Sequence, residues 1–426
     1  MGLLALVFMV LIVYGSLYPF ADWVTPAGPL FAFLAMMPGH VEKADLVQNV
    51  LAYMPFGLFV GAALMPARRS RHGATGATVA AMIVAVLAGA ALSLAMESIQ
   101  QFLPSRDPSL VDLLLNIGGT GVGALLAAMV RDHEAPGARL LALRSTILAS
   151  GHLPNLMLAA LALWALSQTS PLVPTFDPGK LRASLALLAR AVRQPDSVMP
   201  LMALNYALAL LGLGLMARLL VRAEHAALAW FAGLVGVVLA LKIVVEGRQL
   251  SPEALGGAAA AMACLALWRG GSPRAWAWGA LAVLGSGFVV GELAPAPGGG
   301  QVHPFNWIPL AGQMQSLNGL QNILELIWPF FAMACMARFL CAPRRRAALA
   351  LAGAVAVALL VFVLEWLQQD MGGRVGDITQ VMLACGGWIW PWCVRGADFA
   401  PGSTPGGATH GRATHGGATH GGAAPP

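Results

Sequence analysis

The sequence has few charged residues. They make up only 10% of the 426 residues, whereas hydrophobic residues make up 58%. Soluble globular proteins contain about 25% charged residues because their surfaces face water. The apolar residues here fall into runs long enough to cross a bilayer, for which a helix needs about 20 residues. Because backbone groups in lipid must be hydrogen-bonded internally, these runs are predicted to be transmembrane helices.

Motifs of common enzyme and cofactor sites are also missing. The chain has no P-loop, no zinc-binding His pair and no nucleophilic Ser or Cys with a partner His. We therefore expect no cofactor and no metal site. A lipid-modifying enzyme would have to use Glu97 or Asp112 as general acid or base, with Arg106 holding a phosphate or carboxylate. The five cysteines have neither metal-site nor disulfide spacing; they are Cys264, Cys335, Cys341, Cys385 and Cys393.

The apolar runs predict an all-α fold, a polytopic transmembrane bundle of about twelve spans. The first run has no basic leader and no small-residue cleavage site, so we interpret it as a retained span. The predicted spans are 2–20, 46–65, 77–97, 110–130, 152–168, 199–221, 226–246, 253–268, 275–294, 319–340, 347–367 and 377–394.

The net charge of +6 does not indicate nucleic-acid binding, because the basic residues cluster between apolar runs. Sixteen of the 25 basic residues fall in every second loop or in the C-terminal tail, where only four of the 19 acids lie. By the positive-inside rule, this pattern predicts a bacterial inner-membrane protein with both termini in the cytoplasm. The sixteen are Arg68, Arg69, Arg71, Arg131, Arg139, Arg144, Arg218, Arg222, Arg269, Arg274, Arg338, Arg344, Arg345, Arg346, Arg395 and Arg412.

Two segments differ from the spans. Residues 178–195 have an apolar stripe opposite basic residues, which predicts a short amphipathic helix, lying in the membrane interface or packed on its own protein. Residues 397–426 form a Gly/Ala/Thr/His-rich tail that is predicted to be disordered. Its three histidines fit a drifting five-residue repeat better than a metal site.

The chain contains an internal repeat. Residues 96–119 recur without a gap as residues 364–387, and the sequence around Asn49 recurs loosely around Asn322. A fainter copy includes Asn205, Glu246, Arg248 and Ser251. These matches predict three four-helix membrane modules, at residues 1–132, 150–270 and 275–396.

The repeated residues resemble the VanZ-like family, which is named for a protein of the glycopeptide-resistance clusters and is of the teicoplanin-resistance type. The likeness covers 1–130 and, in degenerate form, 300–394, where Gln380 and Ala384 replace an Asp and an Asn. It implies a cell-envelope membrane protein with a link to antibiotic resistance. The matching residues are Pro19, Phe20, Asn49, Pro55, Phe56, Gly57, Glu97, Gln100, Arg106, Asp112, Asn116 and Gly118.

The polar residues of this motif form the candidate ligand-binding set. Polar groups at membrane depth usually face the interior of a bundle, so these could line a pocket for a polar head group. The set is Asn49, Glu97, Gln100, Gln101, Arg106, Asp112 and Asn116, and its equivalents in the last module are Glu365, Gln368, Arg374 and Asp377.

A structural interpretation of the same residues stays open. Ser109 and Asp112 have the spacing of a helix capping box, as do Asp377 and Gln380, and Ser251 is placed to cap a helix. Arg106 could also pair with Glu97, and Arg374 with Glu365, to staple two spans together.

Two more charged positions carry alternatives. Glu325 is an acid in apolar surroundings, which suits either a buried hydrogen bond or a binding or proton-handling role. Lys242 and Glu246, four residues apart, favour a salt bridge near the membrane surface.

Taken together, the residues and the resemblance predict a non-enzymatic protein that binds an anionic, lipid-linked or glycan-related ligand at its outer face. The alternatives are a transporter or flippase of an envelope lipid precursor, and a lipid-modifying enzyme. The expected partners are membrane lipids and a lipid-linked envelope precursor.

Overall fold

The computed structural model is all-α. It describes 13 α-helices and no strand within the following residues: 2–17, 22–26, 28–29, 31–35, 43–65, 74–131, 144, 146–170, 178–222, 227–245, 247–268, 270–294, 301, 303–310 and 319–399. Most of the predicted tail, residues 400–426, lies outside this part of the chain.

An N-terminal group of four helices precedes a middle group of five and a C-terminal group of four. The first group is α1 (Gly2–Leu17), α2 (Lys43–Leu64), α3 (Ala74–Gln100) and α4 (Leu110–Arg131). The middle group is α5 (His152–Thr169), α6 (Pro178–Arg193), α7 (Pro200–Leu220), α8 (Ala227–Val244) and α9 (Pro252–Leu267). The last group is α10 (Pro273–Leu293), α11 (Gly319–Leu340), α12 (Arg346–Gln368) and α13 (Ile378–Cys393).

A helix lies at each of the twelve predicted spans, and α6 lies at the predicted amphipathic segment. Seven helices in the described part are long and apolar enough to cross a membrane; they are α3, α4, α7, α8, α10, α11 and α12. Helices α1, α2 and α9 contain shorter apolar stretches. The helical bundle is thus confirmed, whereas the number of twelve spans stays a prediction.

Each group contains four predicted spans, and the second of them packs against the fourth. The packed pairs are α2 with α4, α7 with α9, and α11 with α13. Glycines allow this close approach. A Cβ placed on Gly123 of α4 would lie 2.0 Å from the carbonyl oxygen of Met54, one on Gly257 of α9 would lie 2.7 Å from that of Ala203, and one on Gly387 of α13 would lie 2.5 Å from that of Ile327. Small residues at helix contacts are typical of membrane bundles.

The apolar core has two main parts. Ile12, Tyr53, Phe56 and Met96 belong to a cluster within the N-terminal group. A larger cluster runs without a break through the middle and C-terminal groups. These two groups therefore form one packed body. The N-terminal group is joined to it by the hydroxyl of Tyr14 on α1, which donates to the carbonyl of Pro309 at 2.7 Å.

The two ends of the bundle differ in chemistry. We call the end where α3 finishes and α4 begins the polar end, and the opposite one the basic end. At the basic end the buried Arg338 donates to Asp398 at 2.7 Å, and Asp398 accepts a second bond from Arg346. The backbone of Ala397 and Asp398 also accepts from the first amides of α5. Residues 397–399 therefore belong to the fold, which corrects the predicted start of the disordered tail.

The contact between α4 and α2 can be tested with two neighbouring glycines. Gly123→Ala should destabilise the protein by about 1–3 kcal/mol, because the added methyl group meets backbone and the helices must separate. Gly118→Ala is the matched control, since a Cβ there meets no atom within 4 Å. Thermal unfolding of the purified variants in detergent measures the difference. Equal midpoints for the two would contradict the close packing.

Candidate functional site

The start of α4 is held by a glutamate from α3. The side chain of Glu97 is only 4% exposed, and its Oε2 accepts a hydrogen bond from the backbone amide of Ser109 at 2.9 Å. The hydroxyl of Ser109 accepts from the amide of Val111 at 3.1 Å. Amides in the first turn of a helix have no partner within the helix, so both bonds stabilise the helix start. The predicted capping role of Ser109 is confirmed, and the acid that takes its amide comes from another helix.

Gln100 and Arg106 both reach the end of α1. The Gln100 amide donates to the carbonyl of Ser16, and an Arg106 Nη donates to the carbonyl of Gly15, each at 3.0 Å. The last carbonyls of a helix likewise lack partners within it. These two side chains therefore join the α3–α4 loop to α1. Gln101 lies half-buried at the start of the same loop.

The other predicted residues join α2, α3 and α4. The Asn49 side chain donates to Asp112 at 2.6 Å. Deeper in the bundle, the buried Asn116 donates to the hydroxyl of Ser93 at 2.9 Å. The Asn116 side-chain oxygen accepts no hydrogen bond from any residue that the structure describes.

Sequence reasoning missed two members of this polar group. Ser93 lies one turn before Glu97 on α3, and the buried Tyr53 lies one turn after Asn49 on α2. The four-residue spacing puts each on the same helix face as a predicted residue. That spacing was the signal that could have identified them.

The C-terminal group contains the same device. Glu365 Oε2 accepts from the amide of Asp377 at 2.9 Å, and Asp377 accepts from the amide of Thr379 at 2.8 Å. The predicted cap at Asp377 is confirmed. Gln368 donates to the carbonyl of Glu292 at 3.3 Å, near the end of α10.

Arg374 corresponds to Arg106 and also reaches the end of the first helix of its group. It donates to the carbonyls of Gly291 at 2.9 Å and Ala294 at 2.7 Å. Its ion pair is with Glu292 at 3.3 Å, so the predicted pairing of Arg374 with Glu365 was wrong. Arg374 therefore joins the loop to a helix end, and Glu365 holds the start of the next helix.

The middle group repeats part of this arrangement. Arg248 donates to the carbonyls of Ser170 at 2.7 Å and Ser167 at 2.8 Å, at the end of α5. Ser251 follows three residues later and accepts from the amide of Ala254 at 3.2 Å, which confirms it as a cap. Glu246, another member of the predicted faint copy, lies outside the described residues. These contacts support the predicted middle module at residues 150–270, which stays a prediction.

Glu97 can be tested by two substitutions. Glu97→Gln keeps an oxygen that can accept the Ser109 amide, whereas Glu97→Ala leaves that amide without its partner. We expect Glu97→Ala to lower the free energy of unfolding by about 1–3 kcal/mol and Glu97→Gln to lower it less. The measurement is thermal or denaturant unfolding in detergent. A larger loss for Glu97→Gln would argue against the capping role.

Comparison with known proteins agrees with the motif. Residues 1–131 match the family model described as VanZ/LLP1. No curated protein and no solved structure matches the chain. The matched residues end with α4, so they contain all seven predicted site residues of the N-terminal group. The N-terminal four-helix group of this membrane protein is VanZ-like.

Proposed function

We propose that the protein acts at the cell envelope by binding an anionic, lipid-linked or glycan-related ligand at the polar end of its N-terminal group, without catalysing a reaction. One comparison between the groups carries this proposal. The N-terminal group has the hydrogen-bonded pair Ser93 and Asn116, where the repeat places Val361 and Ala384 in the C-terminal group, both with 0% exposure.

The scaffold therefore packs without this polar pair. Burying polar groups costs free energy that apolar contacts at the same place avoid. Both groups keep the glutamate that holds a helix start and the Arg and Gln that reach a helix end. Only the N-terminal group adds Asp112 and Asn116. Polar groups that the scaffold does not need are the best candidates for ligand binding.

The chemistry of this region suits an anion with a polar head group. Arg106 is half-buried in the loop, and guanidinium groups bind phosphate and carboxylate through planar, paired donors. Asp112 and Gln101, also half-buried, could accept or donate to hydroxyl groups of a glycan. A lipid-linked ligand could reach this end of the helices from the bilayer itself.

A transporter or flippase is the second candidate, since similar groups of helices are common in transporters that expose one site alternately to each side. The charged residues buried between the middle and C-terminal groups favour it. Movement of a lipid precursor across proteoliposome membranes would distinguish transport from binding alone.

Converting the polar pair into its apolar counterpart tests the proposal. The double substitution Ser93→Val and Asn116→Ala should leave stability within about 1 kcal/mol of the original, because the C-terminal group packs with these residues. Binding of a polyprenyl phosphate to the purified protein should weaken at least about tenfold. The control is Val361→Ser with Ala384→Asn, which should leave binding unchanged. Unchanged binding in a folded Ser93→Val, Asn116→Ala protein would refute the ligand role.

The proposed orientation places the polar end outside and both termini in the cytoplasm, because the clustered arginines lie at the basic end. In a cysteine-free background, a membrane-impermeant maleimide should label Ser105→Cys on intact spheroplasts. Arg345→Cys should be labelled only after the membrane is opened. Both positions are exposed in the structure. The reverse labelling pattern would invert the topology.

A further inference from the structure

A second set of charged side chains lies between the middle and C-terminal groups. Lys242, near the polar end of α8, is 4% exposed. Its ammonium donates to the hydroxyl of Tyr206 on α7 at 3.3 Å and lies 5.0 Å from the centre of that ring. Lys242 is thus buried inside the bundle. Its predicted salt bridge with Glu246 stays a prediction, because Glu246 lies outside the described residues.

Glu325 on α11 lies near Tyr206 and interacts with it electrostatically. It interacts electrostatically with both Lys242 and Arg248, and one of its oxygens accepts from the Gln321 side chain at 2.8 Å. Burial lowers the pKa of the Arg248 guanidinium, and the negative charge of Glu325 acts in the opposite direction. Arg248 nevertheless stays protonated and is held by α5. Tyr206 also interacts electrostatically with the buried Glu253, so two cations and two carboxylates surround it.

These opposite charges are close without being in contact. Within the described residues, no carboxylate oxygen lies within 4 Å of the Lys242 ammonium. An ammonium has three donors, and the described structure shows one of them used, by Tyr206. Charged groups buried at membrane depth are costly, which makes such residues candidates for a functional site.

We propose that Lys242, Tyr206 and Glu325 bind a zwitterionic group, with its acidic end on Lys242 and Tyr206 and its ammonium end on Glu325. A ligand with only an acid would be repelled by Glu325, and one with only an amine would be repelled by Lys242 and Arg248. A group that carries both charges satisfies both sides. Phosphoethanolamine head groups of membrane lipids and free amino acids share this chemistry.

The site is separate from the N-terminal one and shares no residue with it, so each proposal can fail alone. The test uses the full-length protein purified in a non-ionic detergent and titrated with four probes. These are a short-chain phosphatidylethanolamine, the phosphatidic acid of the same chain length, free phosphoethanolamine and alanine. At least one zwitterionic probe should bind about tenfold more tightly than phosphatidic acid, which lacks the ammonium group. Binding of the lipid alone assigns the site to a lipid head group, whereas binding of either free compound assigns it to a soluble ligand.

Three variants and two controls complete the test. Lys242→Met and Glu325→Gln should each weaken binding of the zwitterionic probe at least about tenfold. Tyr206→Phe removes only a hydroxyl, so it should fold normally and weaken binding about three- to tenfold. Arg345→Gln at the basic end is the control and should bind as the original does. Ser93→Val with Asn116→Ala should also leave this binding unchanged.

Three results would overturn the proposal. The first is that phosphatidic acid binds as tightly as the zwitterionic probes to the Ser93→Val, Asn116→Ala protein, in which the proposed N-terminal site for anionic lipids is removed. The second is that no zwitterionic probe binds. The third is that Tyr206→Phe and Glu325→Gln, with unchanged thermal midpoints, keep full affinity.

Discussion

The arrangement of the polar end depends on hydrogen bonds that satisfy helix ends. The amides at the start of a helix and the carbonyls at its end have no hydrogen-bond partner within the helix. In a membrane, leaving such groups without a partner costs free energy. Arg106, Arg248 and Arg374 each donate to carbonyls at the end of the first helix in their group. Each arginine thereby joins the loop to a helix end, in addition to the apolar contacts between the helices. The glutamate and the capping residue hold the start of the following helix.

This repeated use of arginine makes the differences between groups informative. The N-terminal and C-terminal groups connect the same helices by the same kinds of bond, yet only the first contains the Ser93–Asn116 pair. The C-terminal group instead adds an acid, Glu292, beside Arg374. The shared bonds explain how each group holds together, and the unshared polar residues indicate where the groups have separate roles.

Much of the candidate site could be predicted from the sequence, because several motif residues lie at helix ends, where polar side chains have definite partners. The caps at Ser109, Ser251 and Asp377 followed from local spacing. The partners of the arginines could not be predicted, since they are backbone carbonyls on another helix and carry no side-chain signal. Spacing suggested Glu97 and Glu365 as those partners, but these acids bind the amides of the next helix instead.

The sequence by itself determined that the chain is a helical membrane protein, where its helices lie and that its N-terminal group is VanZ-like, because hydropathy and short motifs are local properties. Only the tertiary structure decided how the groups combine. The middle and C-terminal groups share one apolar core, and Lys242 and Glu325 come near each other although 83 positions separate them in the chain. Such proximity depends on which helix faces meet, and packing of glycines against a neighbouring backbone selects those faces.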